Sequence, residues 1–77
     1  MAKRRKLVHV EWEDSAFTPG WRSHDHNLPG TSPCESVGFL LEKSKSRVIL
    51  AMQVNGDGGY GEAMAIPRSV VKKIREL

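Results

Sequence analysis

Four side chains could together grip a planar, charged ligand: Trp21, Arg22, Tyr60 and Arg68. Trp21 sits between Gly20 and Arg22 with no apolar period around it, and Tyr60 is flanked by glycines. Aromatic rings outside a core pattern can stack on nucleobases, and a guanidinium can fork onto phosphate or carboxylate. If these four converge, they form a pocket for a nucleotide or a single strand. A loop tryptophan can also fold back over a small core, and that covering role is the one expected of Trp21. Trp12, on an apolar strand face, is expected in the core.

Other residues suggest chemistry but lack its full set. His24, Asp25 and His26 form a triplet that could ligate metal, with His9 or Asp14 completing a site. Catalytic zinc needs three ligands held by further hydrogen bonds, and a loop flanked by proline and glycine is a poor place to fix them. The triplet therefore reads as solvated loop. Cys34 lies near His26 and Glu35, yet an active thiolate needs a base at hydrogen-bond distance, so packing is the simpler role. The glycines of NGDGGYGE, residues 55–62, lack the lysine and the helix of a phosphate loop and read as a turn. The expectation is a protein that is not an enzyme and carries neither metal nor cofactor.

Composition narrows the class. The chain has 77 residues, 39% hydrophobic and 27% charged, enough for one small core. With one cysteine it has no internal disulfide and no multi-cysteine zinc site. Self-association is then the expected source of extra stability. A lone thiol, no apolar run of membrane-spanning length, and no signal-peptide core behind MAKRRKLVHV point to the cytoplasm. The net charge of +3 is local: Lys3, Arg4, Arg5 and Lys6 carry four of the twelve basic residues, leaving eight against nine acidic ones. Residues 1–6 read as a flexible basic tail and 7–77 as a single domain. The tail could contact nucleic-acid phosphates without reading sequence.

The elements that must position these groups are strands. Residues 7–13 alternate, with Val8, Val10 and Trp12 on one face. A loop of about twenty residues, 14–34, follows, long enough to suggest function. Residues 35–42 form a second strand with Val37, Phe39 and Leu41 on one face, and KSKS at 43–46 a polar hairpin. Residues 47–54, apolar on both faces, predict a central or bent strand. Asn55-Gly56 marks a tight turn, and 63–66 a short strand stopped by Pro67. A tight turn at 67–70 and a final strand complete the set, with a C-terminal helix, and so an α+β fold, as the alternative. The prediction is an all-β fold: a five-stranded Sm-like barrel or a strongly bent antiparallel sheet.

The order W-E-D-S, G-W, S-V-G-F-L, V-I-L-A and A-I-P-R-S-V-V-K-K-I-R-E-L resembles a group of small proteins encoded by tailed bacteriophages and prophages. It rests on Trp12, Asp14, Ser15, Gly20, Trp21, Ser36, Val37, Gly38, Leu50, Ala51, Ile66, Pro67, Ile74 and Leu77. The resemblance implies an accessory protein acting in the infected host's cytoplasm. It would be host-directed in a counter-defence role, either sequestering a nucleotide-type ligand or inhibiting a host protein. The competing expectation is a small nucleic-acid binder using the basic tail and the barrel surface.

Overall fold

A computed structural model of the chain describes residues 5–16, 19–21, 23 and 28–77. Five strands alternate with turns: β1 (Leu7–Asp14), β2 (Ser32–Lys43), β3 (Arg47–Val54), β4 (Tyr60–Pro67) and β5 (Val71–Glu76). A single 3-10 turn, Arg68–Val70, separates the last two. All pairings are antiparallel, in the order β4-β3-β2-β1-β5. The protein is thus all-β, one five-stranded sheet. Of the two predicted forms it takes the open, bent one: β4 and β5 are its edges, and no barrel closes.

The bend is visible in the core. β1 and β3 are separated by β2, yet Val8 and Val10 of β1 pack in one buried cluster with Val48 and Leu50 of β3 and Ile66 of β4. Trp12, Leu40, Val70, Val71 and Ile74 pack against that cluster. Two irregularities in register, at Glu11/Trp12 and at Leu40/Glu42, accompany the curvature, since an extra residue in one strand bends it and raises its twist.

Alternation works as predicted in β1, where Val8 and Val10 are buried, while β3, predicted central with both faces apolar, lies between two partners with Val48, Leu50 and Ala51 buried but Met52 exposed. In β2 the face reverses. Val37 is 56% exposed, whereas Gly38 is buried and Leu40 touches the core. Register explains this: Gly38 lies opposite Val8 and Leu40 opposite Leu50, so the even-numbered residues turn inward. A Cβ on Gly38 would stand 3.0 Å from the Ala51 carbonyl oxygen and 3.1 Å from Leu50 Cβ. β2 approaches β3 so closely there that any side chain would make its neighbours give way.

β2 and β4 are longer than predicted, beginning at Ser32 and Tyr60. The turn before β4 is held by Asn55, whose Oδ1 accepts the backbone N–H of Asp57 at 3.0 Å and of Gly59 at 2.8 Å, with Gly58 at φ 85°. The final segment is the 3-10 turn followed by β5, and the helical alternative falls away.

Candidate functional site

The described candidate residues are scattered. Trp21 is fully exposed, at 103%. It does not cover the core, against the expectation, because Val70, Val71 and Ile74 already pack there. Arg22 lies outside the described residues, as do Lys3, Arg4, His24 and His26. Tyr60 opens β4 and Arg68 follows its last residue. At about 3.3 Å per residue, eight steps of strand separate them by up to about 26 Å. They belong to opposite ends of one strand and line different clefts.

At the Tyr60 end, Gln53, Asn55, Gly59 and Gly61 form with the 63%-exposed ring a cleft of about 240 Å³. At the other end Arg68 lines an open cleft of about 550 Å³ with Lys43, Ser44 and Lys45. The Arg68 backbone N–H donates to the Ser46 carbonyl at 2.9 Å, and its Nη1 donates to the Ser44 carbonyl at 3.2 Å. These two bonds tie the 3-10 turn to the β2–β3 hairpin.

Within that hairpin, Ser44 Oγ accepts the N–H groups of Ser46 and Arg47 at 3.3 and 3.2 Å. Arg47 grips Glu42 through Nε at 2.7 Å. The hydrogen bond from Arg47, ahead of its charge, holds the Glu42 carboxyl below its ordinary range, and the same bond pushes Arg47 upward. Sequence reasoning took residues 43–46 only as a polar connection. Their proximity to Arg68 depends on pairing 24 residues apart, which local spacing does not report.

A third cleft, of about 560 Å³, has an apolar floor of Leu7, Phe39 and Val54 and the cations Arg5 and Lys6 at its rim. Lys6 Nζ stands 3.9 Å from Glu76. The residues suspected of chemistry have other partners. His9 Nε2 contacts Glu35 Oε1 at 2.9 Å, and Asp14 accepts the Ser15 N–H at 2.8 Å. The Cys34 thiol donates weakly to the Ser32 carbonyl at 3.5 Å. Trp12 is half-buried, and its Nε1–H donates to Ser36 Oγ at 3.0 Å. Among the described residues no group of three His, Cys, Asp or Glu could hold a metal, and no helix is long and apolar enough to cross a membrane.

Compared with known protein families, curated proteins and solved structures, the chain matches none. The class rests on its own geometry: a small, open antiparallel sheet with exposed aromatic rings and a cationic end.

Proposed function

We propose that this chain is a non-catalytic binding module that sequesters a nucleotide-type ligand. The observation carrying the reading is the exposure of Trp21. A 77-residue domain with five aromatic residues leaves one of its two tryptophans wholly in solvent, although burying it would add core area. An aromatic face held out in this way is a stacking platform, and stacking on a base is worth about 1–3 kcal/mol. Tyr60 offers a second exposed ring, and Arg22 and Arg68 are the candidate charge partners. In the phage setting that the sequence resemblance suggests, the role is host-directed counter-defence, with the protein acting as a homo-oligomer in the host cytoplasm.

The test is native mass spectrometry of the protein purified from bacterial cells, paired with tryptophan fluorescence. A co-purifying nucleotide, and quenching on its return that Trp21→Ala abolishes, is the expected result. Protein that carries no ligand, and whose fluorescence ignores added nucleotides, would defeat the reading.

The separation of Tyr60 from Arg68 favours a second reading. A single nucleotide is too short to reach both ends of β4, but a single strand of several nucleotides is long enough. In that case Lys3, Arg4, Arg5 and Lys6 would add phosphate contacts. Binding would then fall steeply with salt, and deleting residues 1–6 would flatten that dependence. An unchanged salt slope after the deletion rules out the tail.

A further inference from the structure

Among the described residues, some basic side chains of the sheet are matched by carboxylates, while others, including Lys73 and Arg75 of β5, are not. Lys72 meets Glu13, Arg47 meets Glu42 and Lys6 leans on Glu76. The cleft between the β2–β3 hairpin and the 3-10 turn gathers three unmatched cations on one lining. Lys43, Lys45 and Arg68 line it together, and among the described residues none of the three has an ion-pair partner. Glu42 is the one carboxylate of residues 42–47 and 67–70, and Arg47 occupies it. The pole therefore keeps a surplus of positive charge that its own fold does not neutralise.

The frame beneath that charge is hydrogen-bonded throughout. Ser44 Oγ accepts two N–H groups of the turn, and the Ser44 N–H donates to the Arg47 carbonyl at 2.9 Å. Arg68 is half-buried and fixed at its backbone and at one guanidinium nitrogen. Its bond to Ser44 uses one of five guanidinium donors, so the fork still has edges to present. A fixed fork flanked by two flexible ammonium groups suits a tetrahedral oxyanion: the fork supplies direction and the lysines supply charge.

We infer that this cleft binds a phosphate group, with Arg68 as the fixed fork and Lys43 and Lys45 closing on its oxygens. The inference deepens the nucleotide reading by assigning its phosphate end; it shares Arg68 with that reading and adds Lys43 and Lys45. Tyr60 stands at the opposite end of β4 from this cleft, so a base stacked there is assigned to a different nucleotide from the one whose phosphate sits here.

The experiment is an amide NMR titration of the full chain with inorganic tripolyphosphate at low salt. Shifts concentrated at residues 43–46 and 68–70 are expected. Lys43→Glu combined with Lys45→Glu should weaken binding about ten-fold or more, because two charge-assisted contacts are lost. Lys73→Glu with Arg75→Glu on β5 changes net charge equally and should leave affinity within about two-fold. Arg68→Lys keeps the charge but loses the fork, and should cost about five-fold.

No shift at the hairpin, or equal losses in both double variants, overturns the site. Parallel titrations with nucleoside triphosphates and with a short single strand identify the source of the phosphate. Tripolyphosphate binding without any nucleotide response keeps the site and defeats the nucleotide reading. Nucleotide binding that needs Trp21 but ignores Lys43→Glu with Lys45→Glu does the reverse.

Discussion

Two backbone positions in this sheet oppose each other in what they ask of a side chain. At Gly38 a Cβ would press on the Ala51 carbonyl and Leu50 Cβ, and both belong to a hydrogen-bonded, buried strand with little room to retreat. Gly38→Ala should therefore lower unfolding stability by about 1–3 kcal/mol, the usual range for overpacking. Chemical denaturation checks it, and an unchanged midpoint would mean that β3 yields more easily than its burial implies. Glu62 presents the converse case, with φ at 55°, the sole non-glycine described in the left-handed region. That conformation strains a residue bearing a Cβ, whereas glycine adopts it freely at some cost in chain entropy. Glu62→Gly should then raise stability by about 0.5 kcal/mol, measured in the same way. A loss would show that the Glu62 side chain makes a compensating contact.

At the scale of elements, two carboxylates join segments that the chain places apart. Glu13 ties the end of β1 to Lys72 of β5, and Glu42 ties β2 to Arg47 of β3. Hydrogen bonds, from Lys72 first and then Thr31 in one case and from Arg47 in the other, hold both carboxyls below their ordinary value of 4.5. A folded-state value below the unfolded one means these links stabilise fully above about pH 4.5 and are lost as pH falls further through the folded values. Thermal melts should therefore drop on acidification below that point, and Glu13→Gln with Glu42→Gln should make the drop shallower. A profile identical to the parent would remove these pairs from the account of acid sensitivity. The strands themselves were legible because alternation is local: Val8 and Val10, or Val48 and Leu50, announce their face within four residues. The inward face of β2 was not legible, because Gly38 and Leu40 face the core through register with two other strands and against the apolar weight of Val37. The same limit hid the cationic pole, whose members Lys43, Lys45 and Arg68 meet only when the 3-10 turn is tied to the hairpin. It also misplaced Trp21, since the core area it was expected to cover is supplied by Val70, Val71 and Ile74 from the far end of the chain.

For the molecule as a whole, an open sheet leaves two edges, and their sequences differ in a telling way. β5 reads VKKIRE, with four charged side chains in six residues, the kind of edge that resists pairing with another strand. β4 reads YGEAMAIP, with Glu62 as its only charge and Pro67 blunting only its last position. Met64 on β4 and Met52 on the neighbouring β3 are 38% and 73% exposed on the face they share with the core. Unpaired N–H and C=O groups next to apolar side chains form a template for strand addition, and a core of five buried side chains gives a reason to use it. β4 is therefore the edge through which the proposed homo-oligomer is expected to form. Light scattering should give a mass that is a multiple of 8.6 kDa, and Ala65→Lys on β4 should return the protein to the single-chain mass. Lys73→Ala on the guarded β5 edge should leave the assembly intact. A parent protein of 8.6 kDa at all concentrations would mean that the sheet is stable with its β4 edge in water. In that case the exposed methionines would be left for a partner other than a second copy.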